Sequence, residues 1–304
     1  MRYRIELIEL PSDQAKSISS TYAYWHNPLF MQAVAEMHKI RALQLQVFKG
    51  DELLAILPLY ERKKMGIKAL VAPSGTYYQG ICFAFSPQSH PSRNLIETVS
   101  IIEEIADFLA SRYIKLTMRL SPENYDVRGF TWKGYKAQVL YTFRWFLDTE
   151  LKILPDERKK LRQAEAEGME LQEGFDMEVF LRLQRDLELR KNHSLGISHQ
   201  RIADFFTKLH ELGLLQQFNL HQKAQIVSSN ILLTDHQEVA YTINLATAPE
   251  AMKRGAATYH SVALAKMLPP HTRILDYCGA NVKEVSRFKS ALGLELQSFY
   301  RIKR

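Results

Sequence analysis

The period of apolar residues changes repeatedly along this chain. In ALQLQVFKGDELLAILPLY (42–60) two apolar runs flank Gly50-Asp51, the pattern of a β-hairpin, and a short helix is predicted just before them at 28–38. Leu95, Ile96, Val99, Ile102, Ala106 and Leu109 then recur at helical spacing. A strand at 114–118, a short helix near 124–132 and a strand at 136–147 complete this half. The second half repeats the order. Residues 214–247 read as three antiparallel strands with turns at His221-Gln222 and Asp235-His236. A helix at 255–267, a strand at 273–277, a helix at 281–291 and a strand at 294–302 follow.

The two halves align at a constant offset of 159: Ile114–Met118 with Arg273–Tyr277, Gly134 with Gly293, and Tyr135 with Leu294. Both glycines stand just past a helix, where a left-handed residue is wanted. This alternation predicts an α/β (α+β) protein of two tandem, duplicated lobes, with mixed, mostly antiparallel sheets flanked by helices. The lobes are expected at 1–150 and 151–304, the second carrying linker helices. The first of these, in LPDERKKLRQAEAEGMEL, is punctuated by Pro155, the acidic pair Asp156 and Glu157, and Gly168; two more are expected near 176–192 and 198–212.

Composition narrows the class. The chain of 304 residues, 46% of them hydrophobic, is long enough for self-sufficient cores. No secretory h-region opens it, and no apolar stretch approaches the ~20 residues of a membrane span, so a soluble chain with no membrane insertion is expected. Two cysteines suggest a reducing, cytoplasmic setting rather than a disulfide framework. The net charge of 40 − 33 = +7 is spread over both halves and favours anionic partners.

GxxxxGK[ST], HExxH and GxSxG are missing. The ten histidines have no metal-site spacing, neither His193/His199 nor His210/His221, so no metal is expected and the histidines read as surface groups. Three segments remain. In TAPEAMKRGAATYHSVALAK (247–266), Lys253, Arg254, Gly255, Ala256 and Ala257 open a helix whose N-terminus could receive a phosphate, or simply connect strand to helix. In 273–302, core packing alone explains Phe288, which is also a candidate to line the substrate groove, and Lys289 reads as a cation that is either solvated or available to a substrate. In ALVAPSGTYYQGICF (69–83), Ser74 lies in a turn, and Tyr77, Tyr78 and Gln79 are candidates to line a groove.

Taken in order, YWHNPLF (24–30), DELLAILPLY, APSGTYYQG, ERKKLRQAEAEGMEL, KRGAATYHSVALA and DYCGANVKEVSRFKSALG resemble the FemAB-like branch of the GNAT acyltransferase superfamily, over nearly the whole chain. The resemblance implies two acyltransferase lobes with a groove near their junction. It implies transfer of an acyl or aminoacyl group to a small-molecule amine, from acetyl-CoA, another acyl-CoA, or an aminoacyl-tRNA. Met252–Ala257 would match the loop that cradles the donor pyrophosphate, with Met252 where Gln or Arg is usual. Phe288-Lys289 would match a pair whose lysine stabilises the oxyanion. Tyr241, Tyr259 and Asp276 are the alternatives for handling the amine proton. Relatives that use peptidoglycan precursors carry basic residues where this chain has Ala33, Val34 and Ser74. An N-acyltransferase is expected first, with an aminoacyl-tRNA-dependent transferase and a non-catalytic ligand-binding descendant as rivals; DNA is not an expected partner.

Overall fold

The computed structural model describes residues 3–18, 23–86, 88–192 and 196–304. The chain folds as two compact units, Met1–Tyr141 with Ser298–Arg304, and Thr142–Gln297.

The first unit contains β1 (Arg4–Glu9), α1 (Pro28–His38), β2 (Arg41–Lys49), β3 (Glu52–Lys64), β4 (Ile67–Leu70), β5 (Cys82–Phe83), α2 (Pro91–Arg112), β6 (Lys115–Arg119) and α3 (Arg128–Trp132), and ends within β7 (Lys136–Phe146). Its sheet runs β1-β2-β3-β4-β6, with β5 also on β3; every pairing is antiparallel except β4–β6. Asn27 starts α1 by accepting the backbone N–H groups of Leu29 and Phe30, and Pro28 follows at the first helical position. The apolar stripe of α2 buries Ile101, Ile102, Ile105, Ala106 and Leu109 with Leu43, Leu45, Leu57, Leu59 and Met118 of the sheet.

The second unit begins within β7 and adds α4 (Pro155–Ala166), β8 (Met169–Glu173), α5 (Met177–Lys191), α6 (His199–Glu211), β9 (Leu215–Gln222), β10 (Gln225–Leu233), β11 (Val239–Thr247), α7 (Pro249–Lys253), α8 (Ala256–Met267), β12 (Ile274–Asp276), α9 (Lys283–Ala291) and the start of β13 (Glu295–Lys303). Its strand order is β7-β12-β11-β10-β9-β8, with β11–β12 the parallel pair. Among the described residues each unit therefore has one parallel strand pair, reached through a helix: β4–α2–β6 and β11–α8–β12. Each is completed by the last strand of the other repeat. Arg144–Phe146 of β7 pair with β12, and Arg301–Lys303 of β13 pair with β6. That exchange puts the division between Tyr141 and Thr142, rather than at the expected 150, and returns the C-terminal residues to the first unit.

The alternation in the sequence locates most elements, with instructive departures. The β9–β10 turn falls at Lys223-Ala224, two residues beyond the expected His221-Gln222, with Lys223 left-handed and no glycine to mark it. Strands β1 and β8 are not among the expected elements. His193 of the pair His193/His199 lies outside the described residues. Among the described residues no helix is long and apolar enough to cross a membrane, and no group of three or more His, Cys, Asp or Glu side chains is placed to hold a metal ion.

Gly134 and Gly293 both take left-handed φ, 79° and 81°, as helix-ending residues. A Cβ on Gly134 would meet open space, whereas one on Gly293 would lie 2.8 Å from the backbone of Lys152. Gly134→Ala should therefore cost only the left-handed penalty, about 1–2 kcal/mol. Gly293→Ala adds a backbone clash to that penalty and should destabilise clearly more. Urea unfolding of the two variants measures the difference.

Candidate functional site

In the second unit, β12 and β11 keep company for three residue pairs only, Val239 with Ile274, Ala240 with Leu275 and Tyr241 with Asp276. Beyond Asp276 the chain follows β7 instead, the Tyr277 N–H donating to the Phe143 carbonyl at 2.8 Å. Strand β11 runs on to Thr247 without that neighbour, and an irregularity in its pairing with β10 falls just after the split, where Ile231 faces Asn244 and Leu232 faces Thr242. A bulge re-aims the local backbone and is common beside active sites. The strands thus part beside a bulge, in the part of the sheet that carries Asp276.

Asp276, fully buried, stands where the strands part. Register sets it directly opposite Arg144 on β7, so the two side chains share a face. Arg144 Nε donates to Oδ2 at 2.8 Å, and Thr142, two residues along β7, donates from Oγ1 to Oδ1 at 2.7 Å. The Cys278 N–H adds a bond at 2.9 Å. A carboxylate so enclosed is an anchor: its oxygens are committed, and the buried guanidinium beside it needs its charge.

Lys289 projects from α9 into the turn after β12. Its ammonium donates to the carbonyls of Tyr277, of Cys278 at 2.9 Å and of Gly279 at 2.6 Å. Cys278 and Gly279 both have positive φ, 36° and 77°, which helps converge these carbonyls on one cation. All three donors are thus in use, and contact with an oxyanion would require releasing one. Burial pulls the Lys289 pKa down to about 8, opposed by the charges of Cys278 and Asp276. Burial, and next Asp276, push the Cys278 thiol up, leaving it a poor nucleophile. Tyr241 is buried and pairs in register with Asp276. These residues, Asp276, Lys289 and Tyr241, are the sequence candidates that gather around β12. Phe288 packs on the core of Phe143, Leu275, Tyr277 and Leu292 rather than lining a groove.

The 253–257 segment is differently placed. Gly255 caps α8 with φ 85°, but a Cβ there would lie 2.2 Å from the Lys160 carbonyl of α4. Thr258 in the first turn of α8 donates to Glu157 of α4 at 2.5 Å, and the Glu157 side chain is buried. Lys253 pairs with Glu250 at 3.3 Å and Arg254 with Glu167 at 3.6 Å. Ala256 is fully buried, Ala257 is half-buried, and Tyr259 packs on the same apolar cluster as Ala164, Met169 and Ala256. The helix N-terminus that seemed open to a phosphate is covered by α4 and faces its carboxylate. At this point Gly255 and the first turn of α8 pack against α4, while Lys253 stays exposed.

In the first unit, Arg119 of β6 holds the 73–79 loop, donating to the carbonyls of Pro73 at 2.7 Å and Thr76 at 2.5 Å. His38 Nε2 lies 2.8 Å from the Ser74 carbonyl. Ser74 is exposed and Tyr77 half-buried. Tyr78 and Gln79 are both fully buried, so they support the loop instead of lining a groove; Tyr78 packs edge-on to Trp25 and Phe299. Two histidines expected at the surface are also buried. His260 Nδ1 meets Ser228 Oγ at 2.9 Å, and burial lowers its pKa to about 3. His26 Nε2 meets the Cys82 sulfur at 3.2 Å, and burial lowers its pKa to about 4, opposed by a hydrogen bond from the imidazole to the Gly80 backbone.

Arg144, Thr142 and the β11 bulge were missed from sequence. An arginine inside an apolar strand was the available signal, but its partner is 132 positions away and only strand exchange brings them together.

No protein-family model matches the chain, and no curated protein matches it in sequence. Solved structures do. FemX superposes with a TM-score of 0.66 at 12% identity, over 93% of this chain and 96% of that one. L-PGS from Bacillus licheniformis gives 0.56 at 14% identity, over 90% and 87%. A tandem GNAT protein from the clavulanic acid biosynthesis pathway gives 0.52 at 10% identity, over 99% and 98%. The fold is the tandem GNAT fold that these proteins share.

Asp276→Asn leaves Arg144 buried without its counter-ion and should destabilise the chain by about 3–5 kcal/mol, against about 1 kcal/mol for Thr142→Val. Chemical denaturation separates the two. Lys289 gives a pH signature. With a folded pKa of about 8 against an ordinary ~10.4, the unfolded chain binds more protons between those values, so stability rises with pH across that window. Relative to Lys289→Met, the wild-type chain should gain up to about 3 kcal/mol between pH 7 and pH 11, measured by urea titration at each pH.

Proposed function

We propose that this protein is an acyltransferase that joins an activated acyl or aminoacyl group to an amine, where β11 and β12 part. The observation that carries the reading is the parting of those strands beside a bulge, with a rigid anchor of Asp276, Arg144 and Thr142 at its head. The fold shared with FemX and a tandem GNAT protein supports the same chemistry. In such a transfer the amine nitrogen attacks the acyl carbon, an oxyanion forms and collapses, and the leaving group departs as the amine loses its proton. Alignment and charge stabilisation supply most of the acceleration.

The roles follow from the contacts. Asp276 is a positioning residue, since its oxygens already hold Arg144, Thr142 and the turn. Lys289 fixes the carbonyls of residues 277–279 and keeps its charge beside the parted strands. Tyr241 becomes the leading candidate for handling the amine proton, because it sits in register with Asp276 whereas Tyr259 packs against α4 and β8. Neither Cys82 nor Cys278 is in a disulfide, in keeping with a cytoplasmic enzyme.

The covered α8 N-terminus favours one donor class over another. A donor that needs a pyrophosphate cradle at 253–257 finds Glu157 and α4 there. An aminoacyl ester carried by tRNA does not need that cradle, and L-PGS and FemX share the fold. The test is product analysis by mass spectrometry, with a panel of amines offered acetyl-CoA, a longer acyl-CoA and aminoacyl-tRNA in parallel. Amide formation from aminoacyl-tRNA is expected, with Tyr241→Phe lowering kcat at least tenfold and leaving the fold intact by circular dichroism. Turnover with acyl-CoA would reverse the donor preference. No amide from any donor would overturn the enzymatic reading in favour of a ligand-binding descendant.

A further inference from the structure

The hairpin joining β3 to β4 leaves the core of the first unit. Residues 62–68 form an unbroken exposed run, with Arg62 opposite Ala69, Lys63 opposite Lys68 and Lys64 opposite Ile67. Its tip is Met65-Gly66, both left-handed at φ 50° and 79°. Turns of that shape favour Asn-Gly, because a polar side chain tolerates the left-handed region and faces water. Here a methionine takes the position and is 92% exposed, with Ile67 next to it 54% exposed.

The same end of the sheet extends across β6. Ala69 pairs with Lys115, and the preceding Ile114 is 75% exposed. Five cations, Arg62, Lys63, Lys64, Lys68 and Lys115, thus surround three exposed aliphatic side chains. Of these cations only Lys68 approaches a carboxylate among the described residues, Glu61 at 3.8 Å. Glu61 is already bound by Arg41 at 2.6 Å and by the Tyr113 hydroxyl at 2.9 Å. Beside Lys68 lies a cleft of about 210 Å³ whose cations Arg41, Lys68 and Arg112 nearly balance Glu9 and Glu61, so the surplus charge sits on the hairpin and its rim.

We propose that this basic, aliphatic-tipped hairpin docks the protein on the surface of a bilayer containing anionic phospholipids. The cations meet the lipid phosphates, and Met65, Ile67 and Ile114 enter the boundary between headgroups and acyl chains. This is adsorption, not spanning. RNA would also attract the charge, but single-stranded RNA binds by stacking bases on aromatic rings, and residues 61–70 contain none. The proposal is independent of the acyl-transfer reading, which concerns the second unit.

Flotation of the full chain with vesicles tests it, using pure phosphatidylcholine and phosphatidylcholine with about a quarter phosphatidylglycerol, at low salt. Binding is expected only with phosphatidylglycerol, weakening steeply with salt. The triple variant Arg62→Ser, Lys63→Ser, Lys64→Ser should bind about 100-fold more weakly. Met65→Ser should bind several-fold more weakly with the salt dependence unchanged. All three positions in the triple variant are exposed, and circular dichroism should match wild type. Undiminished binding by the triple variant overturns the proposal, as does equal retention by phosphatidylcholine alone. So does tighter binding of tRNA through the same three cations at matched salt, or a Met65-dependent dimer in sedimentation velocity without vesicles.

Discussion

A carboxylate can be taken wholly out of water only where cations and hydrogen-bond donors replace its hydration, and Asp276 is such a carboxylate. Meeting that requirement determines much of the second unit. Arg144 and Thr142 must come from one face of β7, which fixes the register of β7 on β12. The Cys278 N–H must turn back on the same oxygens, which sets the turn after β12. That turn directs carbonyls inward, and Lys289 meets them. Strand β12 is tied to β7 in this way and ends its pairing with β11 at Asp276, where that one charge is satisfied.

The two cations of this neighbourhood do different work. Arg144 balances a formal charge, so its removal or that of its partner leaves an ion unpaired. Lys289 is held by carbonyl oxygens, and burial weakens its hold on its proton against the opposing charge of Asp276. A site with one fixed ion pair and one loosely held proton is electrostatically stiff near the anchor and adjustable beside it. That division suits a reaction in which charge appears on an oxygen and a proton has to leave a nitrogen.

Gly255 shows how far local pattern reaches. Strand, basic pair, glycine, small residues and helix are what a phosphate-binding turn requires, because a ligand must approach the backbone closely. The same features are required when another helix approaches that closely, and here α4 does so through Lys160 and Glu157. Glycine records that something comes near, not what it is. Tyr78 and Gln79 carry the same lesson in reverse: groups able to bind a substrate are enclosed by Trp25, Phe299 and the β6 backbone.

Periodicity alone determined the elements that bury an apolar stripe or alternate cleanly, such as α2, the β2–β3 hairpin and β9–β11, because side-chain direction follows from local geometry. The offset of 159 also made the repeated order legible, and the left-handed Gly134 and Gly293 mark its matching joints. Strands β1 and β8 stayed invisible, and their place is set by pairing. Tertiary structure decided the exchange of last strands, the Asp276–Arg144 pair across 132 residues and the covering of α8. These are long-range contacts whose partners sequence does not name, and the function of a side chain here depends on which partner reached it.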